Sequence, residues 1–448
     1  MGKARGSSGS SDRSGASARR VRRRRLRAWS AGLLAAVIVS TFSARSATGT
    51  PAGPGRGEER PQPLRLPVVR LATAQAPSGH HGQERQHQHE AAAALGEVGA
   101  FFLEVEISGG GARAQAALAA GRELFGAAPA ELDAIVMPPG GFRGYIPALR
   151  ESGSADLAEI KQGFSLGAPR GTGGNPLEEA NVWPPSLHED AQGHLETMFE
   201  TFADLGQRTV EEVLAPLPGL ASLPDLCRGG ERISLLRMFH YASTASEAYT
   251  HTCAASGPGK QPQACIGSSP HTDWGLLTLI LASEIDSVHF SVNGTWMRPE
   301  PAQAVHASSD DHLLLLVNVG DYLSLLSKGS LASPLHRVVL SDADRLSLVF
   351  FYYPRFDTHL PDLQGSRRYL SLMEDQSANK LAALDLSQTF GELILGKWRQ
   401  VYREASDERA EAAIVEDVGP SALTALVGIL TGVFWMLREC HRWQSRQH

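Results

Sequence analysis

From Ile233 to Pro354 the chain is written in short apolar runs: ISLLRMFHY, GLLTLILA, SVHFSV, TWMR, HLLLLVNV, PLHRVVL and RLSLVFFYYP, with turn residues between them. Runs of this length and spacing, rich in β-branched and aromatic residues, form the strands of a sandwich or barrel. Upstream, from Glu90 to about Pro218, the pattern differs. EAAAALGEVGAFFLEV, ARAQAALAAGRELFGA and HLETMFETFADLGQRTVEEVL repeat apolar positions at three- and four-residue steps, which predicts a helical layer with short extended pieces. The expected division is a helical region over 64–223 followed by a β-rich domain over 224–403, an α+β chain with a mainly β core. No internal repeat is apparent.

Composition narrows the class. At 448 residues, with 42% apolar and 20% charged residues, the chain has the make-up of a globular protein rather than a disordered or many-spanning one. Four cysteines are too few for a disulfide scaffold of this length. The net charge of -6 conceals an asymmetry: Met1 to Gly57 carries twelve Lys/Arg against the single acid Asp12, or +11, which leaves -17 for the remainder. An acidic body argues against a nucleic-acid-binding surface.

Residues 1–57 combine an Arg- and Ser-rich stretch with a charge-free segment from Ala28 to Ala44, and read as a targeting or signal-anchor segment. An uncleaved anchor, a cleaved signal peptide and an organelle transit sequence all fit. Residues 58–90 read as a linker that includes His80, His81, His87 and His89 in a polar tract with nothing nearby to order them. At the other end, 418–437 holds the charge-free run Pro420 to Leu437, long enough for a minimal span and equally compatible with an amphipathic helix. Basic flanks outside both segments place the termini in the cytosol and the body in a lumen if both segments span. The expected localisation is therefore membrane-associated, in the secretory pathway or an organelle, with a soluble cleaved form as the alternative. Asn293-Gly294-Thr295 fits both an N-glycosylation sequon and a tight hairpin turn. Cys253 and Cys265 bracket a polar stretch and would pair only in an oxidising compartment.

The chemistry concentrates in the β-rich half. His271-Thr272-Asp273 stands just before an apolar strand, His336 comes well downstream, and Arg345-Leu346-Ser347 follows. Side chains alternate across a strand, so His271 and Asp273 are expected on one face, and Arg345 and Ser347 likewise share one. Two imidazoles and one carboxylate make a facial triad suited to Fe(II), with coordination positions left for a co-substrate and O2. Arg345 and Ser347 offer a forked cation and a hydroxyl, which match the distal carboxylate of a dicarboxylic acid such as 2-oxoglutarate. His188-Glu189-Asp190 has the same His-x-Asp spacing, but it stands ahead of a predicted helix and is set aside.

With these residues in place, the chain resembles the isopenicillin-N-synthase-like branch of the 2-oxoglutarate/Fe(II)-dependent dioxygenases. LPVVRLATA, ALGEVGAFFLEV, RGYIP, KQGFSLG, NVWPPSLHEDAQGHLETMFETFADLG, SPHTDWGLLTLIL, VNVGDYLSLLSKGSLASPLHRVVL and RLSLVFFYYP carry the resemblance from about Leu64 to Tyr402. It implies a double-stranded β-helix, or jelly roll, preceded by a helical N-terminal domain. It also implies His271, Asp273 and His336 as iron ligands and Arg345 and Ser347 as the co-substrate clamp. Tyr241 sits where the family often places a tyrosine touching 2-oxoglutarate. Fe(II), 2-oxoglutarate and O2 are the implied cofactor and co-substrates.

The chain departs from the family in two places. The stretch from Ala242 to Pro270 is unusually long, and SVHFSVNGTW replaces the common Gly-Leu-Gln, with His289 there read as packing rather than a fourth ligand. The resulting expectation is an oxygenase that couples decarboxylation of 2-oxoglutarate to hydroxylation, desaturation or ring closure of a small organic substrate. Two alternatives stand beside it: an oxidase that uses the same iron site without 2-oxoglutarate, and a membrane-tethered, non-catalytic binding protein. Phe142, Tyr145, Ile146 and Phe164 are substrate-contact candidates no better than core residues.

Overall fold

The computed structural model describes residues 61–71 and 91–399, apart from 152–156, 170–173, 247–248, 250–252, 254–263, 283–284, 306–309 and 360–386. The chain divides into two compact units, Met1–Glu59 and Arg60–His448, and every described residue lies in the second. The segments expected at 1–57 and 418–437, and the histidine tract at 80–89, lie outside the described residues. Among the described residues no helix is long and apolar enough to cross a membrane.

The strands, in chain order, are β1 (Pro63–Leu66), β2 (Val68–Arg70), β3 (Ala100–Glu106), β4 (Gly144–Ile146), β5 (Leu157–Glu159), β6 (Lys161–Leu166), β7 (Leu235–Tyr241), β8 (Ala264–Ile266), β9 (Ser268–His271), β10 (Leu277–Ala282), β11 (Val288–Val292), β12 (Thr295–Pro301), β13 (His312–Val319), β14 (His336–Val338) and β15 (Arg345–Tyr352). An eight-stranded sheet has the order β2-β3-β13-β10-β15-β7-β6-β4, and a five-stranded sheet the order β1-β12-β11-β14-β9. The two enclose a core of Phe102, Ile280, Leu316 and Val349 from the larger sheet against Leu66, Phe290 and Val338 from the smaller. This is the jelly-roll arrangement expected of the β-rich half.

The apolar runs of β10 and β13 are nearly unbroken because both faces of the larger sheet are buried. Ile280 and Leu316 face the smaller sheet. Their neighbours Leu279, Leu315 and Val317 join a second core, roofed by helices α1 (Gly110–Phe125) and α2 (Glu189–Thr209), which pack on each other and over β10, β13 and β15. Each large side chain buried in these layers contributes about 1.5–3 kcal/mol. His188, from the second His-x-Asp, is the N-cap of α2 and accepts from Asp190 N at 3.3 Å, a structural role at a helix start.

The residues before 224 are not purely a helical layer. β2 and β3 extend one edge of the eight-stranded sheet and β6 and β4 the other, so the two expected regions share one sheet. β6 follows from the register Lys161↔Tyr241 through Leu166↔Leu236 against β7. β11 and β12 form the expected hairpin, with Asn293 (φ 51°) and Gly294 (φ 77°) both in the left-handed region that an Asn-Gly two-residue turn requires. Cys253 and Cys265 form a disulfide, and Cys265 lies in β8, which pairs with β5 in a two-stranded parallel sheet.

Candidate metal centre

β9 and β14 are antiparallel neighbours in the smaller sheet, and their register sets His271 directly opposite His336, with the imidazole centroids 4.3 Å apart. His271 is the last residue of β9. Asp273 therefore lies in the turn between β9 and β10, and strand alternation is not what aims it. The turn is fixed from outside: Asp321 N donates to Asp273 O at 2.7 Å, from the start of helix α3 (Asp321–Leu326). Gly275 and Gly320 allow this approach, since a Cβ on Gly320 would stand 2.2 Å from Gly275 O.

The three side chains converge. One donor atom from each of His271, Asp273 and His336 lies within 4.8 Å of the others. Nε2 of His271 is 3.7 Å from Asp273 Oδ1, and Nε2 of His336 is 3.8 Å from Asp273 Oδ2. Each ring is oriented from behind: Nδ1 of His271 lies 2.7 Å from Ser269 O, and Nδ1 of His336 lies 3.1 Å from Pro334 O. A carbonyl accepts only, so the proton sits on Nδ1 and the Nε2 lone pair faces the carboxylate, the tautomer a metal ligand needs.

Electrostatics favour the same state. Burial pushes His271 down to about 4, helped by His336 and opposed by Asp273, so its imidazole is neutral at neutral pH. Burial acts to raise Asp273, but His336, His271 and donors from Asn318 and Thr278 hold its carboxyl below the usual range. Thr278 Oγ1 and Asn318 Nδ2 both donate to Asp273 Oδ2, at 2.6 and 2.9 Å, from cross-strand partners on β10 and β13. Asp321 accepts from Thr272 Oγ1 at 3.1 Å and from Ser333 Oγ at 2.7 Å, which ties the approach to both ligand-bearing segments together.

Arg345 and Ser347 are both buried and share a face of β15, as strand alternation requires. The Arg345 guanidinium lies 3.9 Å over the ring of Tyr241, its cross-strand partner on β7, and Nη2 donates to Val339 O at 3.2 Å. Ser347 Oγ is buried with no hydrogen-bond partner among the described residues. A buried hydroxyl left in this way fits a polar ligand.

Other residues expected from sequence sort by face. His289 projects from the face of β11 opposite to Phe290, whose ring is 5.9 Å from His336, and pairs across strands with Arg337, so it is no fourth ligand. Tyr145 and Phe164 belong to the helix-side core. Sequence reading missed a row beside Tyr241: Lys161 Nζ is 2.6 Å from Glu159 Oε2 and donates to Ser268 Oγ at 3.0 Å, while Ser269 N donates to Glu159 Oε1 at 2.9 Å. Burial acts to lower Lys161, but Glu159, Tyr241 and Glu151 outweigh it and raise it, so the amine stays charged. Thr278 and Asn318, which hold Asp273, were missed as well; each stands as a polar residue inside an apolar run, GLLTLIL and LLLLVNV, which marks the position but not its partner.

Comparison with known proteins agrees with this geometry. Residues 236–354, from β7 to just past β15, match the family model of the 2OG-Fe(II) oxygenase superfamily. Clavatol oxidase of Penicillium crustosum is 30% identical over 249 residues, 50% of this chain and 67% of that protein. The chain belongs to the 2-oxoglutarate/Fe(II) oxygenase superfamily. A 2-oxoglutarate-dependent dioxygenase of Monascus ruber is 28% identical over 236 residues, 50% of this chain and 66% of the relative. These matches therefore span about two thirds of each relative. In fold, the oxygenase resembles a full-length Neurospora crassa protein crystallised in complex with α-KG, at a TM-score of 0.52 and 16% identity over 74% of this chain and 95% of that one. As a superfamily member it is an oxidoreductase of the class that uses Fe(II), 2-oxoglutarate and O2. The inward Nε2 atoms and the carboxylate suit the metal, and the Ser347 hydroxyl beside a buried guanidinium suits the co-acid.

Proposed function

We propose that this oxygenase holds Fe(II) through His271 Nε2, His336 Nε2 and the Asp273 carboxylate, and uses 2-oxoglutarate to oxidise a small organic substrate. The observation that carries the assignment is the convergence of three donors whose rear atoms are already tied to fixed backbone or side-chain partners. Arg345 and Ser347 grip the distal carboxylate of the co-acid, and the Tyr241 ring holds the guanidinium in place from its cross-strand position. The bound metal and co-acid supply O2 activation with decarboxylation to succinate and CO2; the protein contributes orientation, burial and a pre-set ligand tautomer. Hydroxylation, desaturation and ring closure are all within this chemistry.

The test is metal retention. Wild type loaded anaerobically should keep one Fe(II) per chain through gel filtration, and His336→Ala should lose most of it. Equal retention removes the triad assignment. Succinate formed in step with substrate oxidation distinguishes a 2-oxoglutarate-coupled reaction from an oxidase that uses O2 alone.

For location we infer a lumenal body tethered by one or both termini. The Cys253–Cys265 disulfide supports an oxidising compartment, and the charge-free terminal segments with their basic flanks support the topology. A protease-protection assay that finds residues 91–399 digested in intact vesicles oriented cytosol-out refutes it.

A further inference from the structure

Arg237 is a buried arginine on the inner face of β7, in register with the co-acid site: it lies two residues before Phe239 and four before Tyr241. Its guanidinium is sandwiched, 4.9 Å over the Phe239 ring and 5.2 Å over Trp398. Both oxygens of Glu151 accept from Nη2, at 2.9 and 2.7 Å, and the two side chains are only 7% and 13% exposed. This pair belongs to the surroundings of the triad. Trp398 meets Trp274 edge-on at 5.5 Å, Trp274 follows Asp273 directly, and Phe142 meets Trp398 edge-on at 6.4 Å. Burial and the Asp273 carboxylate raise the Tyr353 phenol while Arg237 lowers it, so both charges are within electrostatic reach of its ring.

Contacting aromatic rings thus lead from the residue after Asp273 to Arg237, whose charge is already cancelled by Glu151. An anionic substrate group would have to displace Glu151 from its two-oxygen hold on Arg237, or sit beside it and suffer like-charge repulsion. A flat, uncharged ring meets neither cost. It stacks on the indole and phenyl walls, where ring pairs gain beyond the area they bury.

Resting on the oxygenase reading above, we propose that the substrate is a neutral aromatic or conjugated molecule, and that Glu151 is the specificity-determining residue that excludes carboxylates by neutralising Arg237. The test measures binding rather than turnover, using the full chain loaded with Fe(II) and 2-oxoglutarate under anaerobic conditions. 2-Naphthamide and 2-naphthoate are titrated while tryptophan fluorescence is read. Wild type should bind the amide at least tenfold more tightly than the acid. Glu151→Gln, which removes the negative charge facing Arg237 at constant shape, should shrink or invert that ratio by tenfold or more. Trp398→Leu should weaken the amide at least tenfold with the ion pair intact, an arm that stands even if Glu151→Gln fails to fold.

A wild-type preference for naphthoate, an unchanged ratio in Glu151→Gln, or no binding of either probe overturns the proposal. Titration of 2-oxoglutarate alone into the Fe(II) protein reports separately on the parent reading. Normal co-acid binding with any of those three outcomes rejects the aromatic-substrate assignment and leaves the oxygenase assignment standing.

Discussion

Thr278→Val removes one hydroxyl from behind Asp273, the carboxylate of the proposed metal site, while nearly preserving side-chain shape. Thr278 Oγ1 donates to Asp273 Oδ2 at 2.6 Å, and Asn318 Nδ2 donates to the same oxygen at 2.9 Å. With Oδ2 doubly held, the carboxylate plane is fixed and Oδ1 is presented to the metal. A hydrogen bond to a charged group is worth about 1.5–3 kcal/mol. At about 1.4 kcal/mol per decade, that is roughly 10–100-fold in affinity. The cost seen when supporting partners of metal ligands are removed elsewhere is the same, about 10–100-fold. Thr278→Val should therefore raise the Fe(II) dissociation constant by about one to two decades, measured by anaerobic competition with a coloured chelator. Turnover at saturating Fe(II) should stay close to wild type. If Fe(II) affinity is unchanged while thermal stability falls, the two donors serve the fold and not the metal, and the reasoning fails.

Arg345→Gln should raise the 2-oxoglutarate requirement by about 10–100-fold and Ser347→Ala by only about fivefold, as expected for a charge-assisted against a neutral hydrogen bond; succinate release against co-acid concentration gives both, and equal effects contradict the assigned roles. Cys253→Ser opens a link between residues 12 apart in sequence and should lower stability by about 3 kcal/mol. Denaturant unfolding with and without reductant checks this, since reduced wild type should match the variant. Burial, then Arg337, depresses His289 from 6.5 to about 4. The unfolded chain takes up that proton first, so this contribution to stability is complete above pH 6.5 and is lost as pH falls toward 4. Melting temperature against pH should therefore drop across that window, and less steeply in His289→Phe.

Much of the β core was legible because its signal is local. The runs at 277–282 and 312–319 announce strands whatever they pair with, and Arg345-x-Ser347 share a face by alternation alone. Asp273 shows the limit of that logic: it shares a side with His271 because Asp321, Thr278 and Asn318 hold a turn, not because a strand alternates there. Those holders are contributed by other elements of the fold, and cross-strand partners cannot be read from one strand. Sequence distance likewise hid the Lys161–Ser268 and Arg237–Glu151 contacts, 107 and 86 residues apart. The three-residue strands β4 and β5 are too short to carry a period, so the first half read as more helical than it is. Pairing of Cys253 with Cys265 depended on compartment, which spacing does not reveal.

On the proposed iron assignment, the cross-strand pairing of His271 with His336 also makes metal loading a proofreading step. Between that pair and Val338↔Ser268 the register shifts, so β9 carries one more residue than β14. A slip of one position would turn His336 to the opposite side of the smaller sheet and bring Arg337 inward. A chain misaligned by that single step could keep most of its apolar burial and its sheets, yet could not assemble the three donors. Iron uptake at the proposed site would thus separate the correctly threaded molecule from a near-identical misfold that compactness or secondary-structure content would pass.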